Sequence, residues 1–510
     1  MSAGQDGWAR MFGAASPRVA GGSLLAAVEA GHNDGPWIRP DDYQKFNSVL
    51  RFSRGDNRNG FTLTGMGYWA DWDATDQVPA RAIESGIIPR FGLIDSSDGG
   101  EANRQSIAAE LQRSNGPSSL RATGFLLRNS LNLFSNFTYF LDDPQNGDQF
   151  EQAERRVALG GRITYRRLGH FFERHAESAV GIQLRHDGLD PVGLYRNVAR
   201  QRTATTREDH VGQHMAGVYA QTEIEWTRTL RTTLGLRADR YRFSVTSDNP
   251  RNSGDGSDGL VSPKVGAIFG PWSGSEVYVN AGTGFHSNDA RGAAIAVDPI
   301  SGGPVDRVTP LIRATGAEVG LRTVRIPGVQ STVAVWSLGI DSELLFVGDA
   351  GTTEPGRPSR RTGFEWTNYA RLRPWLTLDA DLAFTSARFT DDDPAGDRIP
   401  GALDRVISAG LTFEGRLFGS LRLRHFGPRP LLEDASVMSK STTLFNGEIG
   451  YRLSNRARLV LEGFNLFDAE VSDIDYFYAS RLADEPAPVA DIHLHPAPPL
   501  TMRVGVQLSF

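Results

Sequence analysis

The chain ends on the stretch Thr501-Met502-Arg503-Val504-Gly505-Val506-Gln507-Leu508-Ser509-Phe510, in which apolar and polar side chains alternate without interruption. Successive side chains of a β-strand point to opposite faces, so this stretch predicts a strand with one apolar and one polar environment. A soluble protein rarely ends on such a strand, because the strand would present an unpaired apolar edge. A closed barrel in lipid avoids that edge by pairing its last strand with its first.

The same two-residue period recurs through the rest of the chain. Its clearest examples are residues 218–226, 234–241, 334–341, 376–385, 407–414 and 445–452. We count about 20 to 22 such segments, and the connections between them alternate between short turns and long loops. The short turns include 227–230, 371–375 and 414–417, and the long loops include 73–100, 286–311, 343–360 and 468–499. This arrangement predicts an all-β fold, a large antiparallel transmembrane β-barrel of about 20–22 strands.

The composition excludes several other classes of protein. Hydrophobic residues make up 39% of the 510 residues, and no apolar run approaches the ~20 residues that a membrane-spanning helix needs. The net charge of −6, without a basic stripe, argues against nucleic acid as a partner. The absence of cysteine removes disulfides, thiol catalysis and cysteine zinc sites. No nucleophile elbow, P-loop or metalloprotease motif occurs, so we predict no enzyme activity and no cofactor.

The two faces of the predicted strands differ in chemistry. We expect one set of aromatic side chains to face lipid: Trp226, Trp336, Phe384, Phe445, Tyr451 and Phe510. The opposite face carries charged side chains deep within the strands, and we expect them to pair inside a polar lumen: Arg237, Asp239, Asp379, Asp381, Glu448, Arg452 and Arg503. The alternative is an ordinary soluble sheet, in which the charged face is solvated and the aromatic face forms a core.

Several longer stretches resemble the TonB-dependent outer-membrane receptors. They occur in the family's order along nearly the whole chain: 131–144 (LNLFSNFTYFLDDP), 262–266 (SPKVG), 282–292 (GTGFHSNDARG), 465–468 (NLFD) and the terminal Phe510. Each stretch alone is weakly specific, whereas the ordered set together with the terminal strand is a strong match. The resemblance implies a barrel of about 22 strands that imports a scarce ligand, such as a ferric siderophore, cobalamin or another metal chelate.

The resemblance also implies partners and a location. They are the bacterial cell outer membrane and its lipid, the barrel assembly machinery acting on Phe510, and the TonB energy-transducing complex only if a plug domain is present. We assign residues 1–510 to a single barrel domain and find no plug, TonB box or signal peptide in them, so we expect the start to be truncated or misassigned. We expect the terminal strand to close the barrel near Trp8–Ser16.

Two long loops hold the candidate ligand-binding residues. The first contains His286, Asp289 and Arg291, where Arg291 could pair with an anionic chelate; turn chemistry of the polar residues is the alternative. The second supplies a larger set: Asp473, Asp475, Tyr476, Tyr478, Arg481, His493 and His495. Asp491, His493 and His495 would share one face of a strand and could bind a metal. We favour the alternative that these histidines only line the polar side of the segment, and we predict no metal site.

Two further functions remain open from the sequence. A plugless, porin-like barrel would pass solutes passively, and a soluble β-rich binding protein would bury its apolar faces in a core. Detergent extraction and heat-modifiable gel migration separate a membrane barrel from the soluble alternative.

Overall fold

The wall of the molecule is a closed antiparallel barrel of 22 strands, in which the segments Ala9–Ala15 and Arg18–Val19 both pair with Gly22–Asn33 and form one strand. The computed structural model describes residues 1–74, 76–347 and 352–510. Each strand of the wall pairs with the next wall strand along the chain, and long connections at one end alternate with turns of a few residues at the other. The predicted fold class is therefore confirmed.

The elements follow one another in a simple order. The strands are β1 (Ser2–Gly4), β2 (Ala9–Ala15), β3 (Arg18–Val19), β4 (Gly22–Asn33), β5 (Tyr43–Gly55), β6 (Asn59–Asp73), β7 (Val78–Pro79), β8 (Gly99–Asn115), β9 (Ser118–Ser135), β10 (Phe150–Phe171), β11 (Arg174–Val198), β12 (Gln201–Thr227), β13 (Leu230–Ser247), β14 (Gly254–Trp272), β15 (Ser275–Ser287), β16 (Leu311–Thr323), β17 (Val329–Ile340), β18 (Leu344–Val347), β19 (Thr352–Pro355), β20 (Ser359–Arg373), β21 (Leu376–Phe389), β22 (Arg405–Phe413), β23 (Leu417–Phe426), β24 (Thr442–Ser454), β25 (Ala457–Phe464), β26 (Ser472–Ser480), β27 (Val489–Pro496) and β28 (Thr501–Leu508). Helices α1 (Ala80–Glu84) and α2 (Ala290–Ala294) and a 3-10 turn (Pro250–Asn252) lie in loops. Neither helix of the described residues has the length or apolarity to cross a membrane.

The barrel closes between its two termini. Strand β28 pairs with β25 on one side and with the three-residue β1 on the other, where Ser2 lies opposite Gly505. The amino group of Met1 donates a hydrogen bond to the carbonyl oxygen of Val506 at 3.0 Å. The segment near Trp8–Ser16, which we expected to seal the barrel, forms β2 and is one position further in. That expectation was wrong because β1 is too short for a two-residue period to be visible.

The outer face carries the apolar band, and the inner face carries ion pairs. On β13, Leu234 and Leu236 point outward and are more than half exposed, whereas Arg237 and Asp239 point inward and lie 2.6 Å apart. The expectation that Trp336 faces lipid was wrong, because its Nε1 donates a hydrogen bond to the inward-facing Glu365 at 2.9 Å. Its neighbour Val335 faces outward instead. Residues 334–340 are largely apolar on both faces, so alternation alone could not choose between them.

The long connections form the walls of one open end, the mouth of the barrel. Loop 288–310, which we call the inner loop, packs onto the inner faces of β11–β14 through a core that includes Ala290, Ala294, Val211 and Phe243. The pair β26 and β27, which we call the outer hairpin, pairs with β7. The part of loop 74–98 that contains β7 and α1 contributes to a small separate core: Val78, Ala82, Ile88, Tyr139 and Leu482.

Candidate functional site

The inner loop is held in the lumen by a charged pair that the sequence had singled out. Asp289 accepts hydrogen bonds from the backbone N–H of Arg291 at 2.9 Å and from its guanidinium Nη2 at 2.6 Å. Burial would raise the pKa of Asp289, but the Arg291 charge and these hydrogen bonds hold it below its usual value. Both groups therefore stay ionised at neutral pH and fix the first turn of α2.

A second ion pair lies next to the first. Arg207 and Asp209 on β12 are almost fully buried, with Nε and Oδ2 2.5 Å apart. Arg207 also reaches the backbone carbonyl of Arg291 at 3.5 Å, so it connects the barrel wall to the inner loop. Burial raises the pKa of Asp209, and the charges of Arg207 and Arg291 oppose that rise.

A cleft of about 450 Å³ separates the inner loop from the barrel wall. Its wall is formed by charged residues on β10 and β11, and its other side is formed by Asp289 and Arg291. The wall residues are paired along the strands: Glu154 with Arg156 at 3.0 Å, and Asp187 with Arg185 at 2.6 Å. These four residues were not identified from the sequence. Their signal was present, because opposite charges two residues apart on a strand share one face.

His286 is the third predicted residue of this region. It lies on β15 just before the inner loop, and within the described residues its Nε2 atom is buried without a hydrogen-bond partner. The structure therefore places His286, Asp289 and Arg291 in one region of the mouth, with Asp289 and Arg291 bonded to each other.

The outer hairpin carries the second predicted set. Asp473 and Tyr476 are exposed. The other members make contacts within the protein. Asp475 pairs with Arg429 at 3.3 Å, Tyr478 stacks on His493 with ring centroids 3.7 Å apart, and Arg481 donates to the carbonyl of Glu485. The inner loop and the outer hairpin thus belong to separate walls of the mouth.

The proposed alternative of a metal at Asp491, His493 and His495 is not supported by the geometry. His493 is fully buried; its Nε2 bonds Ser480 Oγ at 2.7 Å and its Nδ1 bonds the Asp491 carbonyl at 3.0 Å. Asp491 accepts from the backbone N–H of Arg81, and His495 packs on the Trp37 ring. Both nitrogens of His493 are therefore used in hydrogen bonds inside the protein.

We predict that the outer hairpin loses stability in mild acid because of His493. Burial lowers the pKa of His493 to about 4, whereas an unfolded histidine titrates near 6.5. Stability is therefore complete above pH 6.5 and is lost as the pH falls towards 4, by about 3 kcal/mol over the full range. Hydrogen exchange of the β26 and β27 amides, corrected for intrinsic rates, should show weaker protection at pH 5 than at pH 7.

Two variants check the cause of this loss. His493→Gln cannot titrate and should show little pH dependence between pH 7 and 5, whereas His210→Gln, at an exposed position on β12, should behave like the parent protein. Equal pH dependence in the parent and in His493→Gln would contradict the assignment.

Comparison with known proteins supports what the geometry indicates. The family model described as "TonB dependent receptor-like, beta-barrel" matches residues 31–466. A comparison with curated protein sequences found no match.

Solved structures share the fold over the whole chain. The ferric-catecholate import receptor Fiu from E. coli K12, in its closed form, superposes with a TM-score of 0.78 at 13% identity, covering 100% of this chain and 81% of that one. The ferric citrate transporter FecA gives 0.81 at 12% identity, covering 100% and 77%. The ferric yersiniabactin uptake receptor FyuA from Yersinia pestis gives 0.77 at 15% identity, covering 100% and 79%. Because the family model matches residues 31–466, most of the chain, the chain belongs to the family of TonB-dependent receptor β-barrels.

Proposed function

We propose that the protein is the barrel of an outer-membrane receptor that takes up a ferric siderophore or a similar metal chelate. The cleft between the inner loop and the barrel wall is the observation that carries this proposal. It is open to the lumen, and its charged side chains can exchange an internal partner for an anionic ligand. The similar structures described as ferric-chelate receptors support the ligand class.

Arg185 is the residue of the cleft best suited to meet an anion. Its side chain is 47% exposed, although it is bonded through Nε and Nη2 to Asp187. Arginine offers two parallel donors to a carboxylate or a catecholate oxygen pair, so a ligand can share this guanidinium with Asp187. Asp473 and Tyr476 of the outer hairpin are proposed as first contacts nearer the solvent.

The proposal includes the location and partners that the family implies. The barrel would lie in the bacterial outer membrane, with Phe510 as the signal read by the barrel assembly machinery. Coupling to the TonB complex is proposed only for a protein in which a plug domain is present. We propose residues 1–510 as a single barrel domain. No feature of the described residues favours a passive porin-like barrel or a soluble β-rich binding protein.

Uptake measurements test this proposal. In cells lacking their own ferric-chelate receptors, the full-length protein should support growth under iron limitation on at least one chelate of a panel. We expect Arg185→Gln to lower the apparent affinity for that chelate about tenfold, since it removes one charge-assisted contact. The variant keeps a polar, hydrogen-bonding side chain without the charge and leaves Asp187 within reach of Arg156 at 3.9 Å.

A matched variant controls for general damage to the barrel. Arg166 also lies on the inner face and pairs with Glu177 at 2.7 Å, but near the turn end of the barrel. Arg166→Gln should leave uptake unchanged. Failure of every iron, cobalamin and other metal chelate to support growth, with the barrel present in the membrane, would refute the proposal.

A further inference from the structure

The outward face of β8–β13 carries a groove that the proposed uptake does not use. The groove has a volume of about 1050 Å³. Its floor is one cross-strand row in which small side chains predominate and in which each residue is the partner of the next: Ala109, Gly124, Gly161, Leu184, Ala216 and Arg240. A row of this kind makes a channel because the rows beside it carry larger side chains.

The two neighbouring rows form the sides of the groove. On the mouth side the partners are Ile107, Leu126, Leu159, His186, His214 and Arg242. On the turn side they are Leu111, Ala122, Ile163, Ile182, Val218 and Ala238. Five steps between strands spaced ~4.8 Å apart give a length of about 24 Å, comparable with that of an extended acyl chain.

The outward face of these strands changes abruptly from apolar to basic towards the mouth. On β11 the exposed residues Ile182 and Leu184 are followed by His186, and on β13 Leu234 and Leu236 are followed, after Ala238, by Arg240. The basic residues at this level, one or two on each of five strands, are Arg128, Arg155, His186, His214, Arg240 and Arg242. The level marks where the apolar band ends and the polar headgroup region of a membrane would begin.

The groove rises from the apolar band to this basic level. On β9 the floor residue Gly124 is two outward-facing residues further from the mouth than Arg128. On β13 the floor residue is itself the basic Arg240. Contacts within the protein hold the side chains at the basic end of the groove. The His186 and His214 rings stack with centroids 4.4 Å apart, and Arg240 donates to Ser257 Oγ at 2.5 Å. An apolar channel therefore leads directly to a cluster of arginine and histidine side chains.

On another side of the barrel, the outward face near the mouth carries acidic side chains. On β4–β6 and the loop that joins β4 to β5, the corresponding outward level carries His32 together with Asp34, Asp42 and Asp71. Anionic headgroups are attracted to the β9–β13 side and repelled from the β4–β6 side. The β9–β13 side and the β4–β6 side of the barrel therefore differ in the sign of their charge at this level.

We propose that this groove binds a phosphate-bearing, multiply acylated lipid of the outer leaflet. One acyl chain lies along the row from Ala109 to Ala216, and the headgroup phosphate contacts Arg240 and Arg242. Phosphate accepts paired hydrogen bonds from arginine, and small floor residues let a chain pack closely against the backbone. The inference rests on the proposed outer-membrane location, but it does not depend on which ligand is transported.

Native mass spectrometry of the purified full chain in detergent tests the proposal. The probes are bis-phosphorylated lipid A, the same lipid with its phosphates removed, and inorganic phosphate. We expect bis-phosphorylated lipid A to bind at least tenfold more tightly than the dephosphorylated lipid, and inorganic phosphate to leave that binding unchanged. Arg240→Gln/Arg242→Gln should weaken binding of lipid A at least tenfold.

A control pair separates the groove from general surface charge. Arg360→Gln/Arg405→Gln removes two exposed, outward-facing arginines on strands that do not line the groove, and should bind lipid A like the parent. Equal binding by both double variants, or equal binding of the phosphorylated and dephosphorylated lipids, would overturn the proposal. Heat-modifiable gel migration and chelate uptake are read on the same proteins, so a barrel that transports but shows no lipid preference would refute this site and leave the proposed function standing.

Discussion

Arg207→Met is expected to destabilise the mouth of the barrel by roughly 3–5 kcal/mol, the range seen when one partner of a buried ion pair is removed. Both side chains are almost inaccessible to solvent, at 2% for Arg207 and 0% for Asp209. Methionine approximates the length of the arginine stem but leaves Asp209 without its nearest cation. The contact from Arg207 to the Arg291 carbonyl is lost as well, so the inner loop should detach first. Hydrogen exchange over 203–211 and 290–295 measures both effects.

The sign of the pH dependence identifies the cause. Burial already raises the pKa of Asp209, and loss of Arg207 should raise it further. The unfolded carboxyl ionises near pH 4. The free-energy cost of burying an unpaired Asp209 carboxylate therefore appears above that pH and is smallest below it. The variant should therefore approach the parent in stability as the pH is lowered to 4. A deficit that is constant from pH 4 to 8 would show that lost packing, not the unpaired carboxylate, is responsible.

Two further variants complete this test. Arg207→Met/Asp209→Leu replaces the pair by apolar groups and should recover most of the stability, because well-packed apolar residues often substitute for a buried ion pair at little cost. Arg196→Met, which changes an exposed arginine on β11, should stay within about 0.5 kcal/mol of the parent. If the double variant is less stable than Arg207→Met, the account of Asp209 as an unpaired charge is wrong.

The architecture was accessible from the sequence because it depends on a local, repeated signal. Segments such as 218–226 and 376–385 alternate cleanly, and each forms part of a wall strand, β12 and β21. The signal fails where both faces are apolar, as at Trp336, or where the strand is very short, as at Ser2–Gly4. Strand pairing then depends on neighbours distant in the sequence, which a two-residue period does not contain.

The candidate site was accessible only in part. Asp289 and Arg291 were identified, but their bond to each other and the burial of α2 against Val211 and Phe243 depend on how the inner loop folds back. The opposing wall, including Arg185, was not identified, because its charges meet the inner loop only in the folded chain. Loop positions are set by tertiary contacts, so residue type and spacing identify participants more readily than partners.

Arg81→Met is expected to release the outer hairpin from loop 74–98. Arg81 donates to both carboxylate oxygens of Glu485, at 2.7 and 2.9 Å, and to Ser480 Oγ at 3.0 Å. Its backbone N–H also donates to Asp491, but a substitution preserves that bond. Charge-assisted hydrogen bonds of this kind contribute roughly 1.5–3 kcal/mol, and Arg81 and Glu485 are both less than one quarter exposed. We therefore expect a loss of about 2–3 kcal/mol in the local stability of 472–496, measured by hydrogen exchange.

The pH profile and a matched variant make this expectation specific. The bond from Arg81 is the main reason why the pKa of Glu485 lies below its usual value, so the pair stabilises the hairpin above pH 4.3 and stops doing so as the pH falls through that lowered pKa. Arg81→Met should remove this acid-dependent step, and Arg81→Lys should fall between the two because lysine cannot form the paired contact. Arg39→Met removes a more exposed pair with Asp73 in the same part of the mouth and should cost less than about 1 kcal/mol. Since Asp473 and Tyr476 are carried by this hairpin, its release should also lower the apparent affinity for the chelate; unchanged exchange and unchanged affinity in Arg81→Met would show that the hairpin is positioned by its strand pairing with β7 alone.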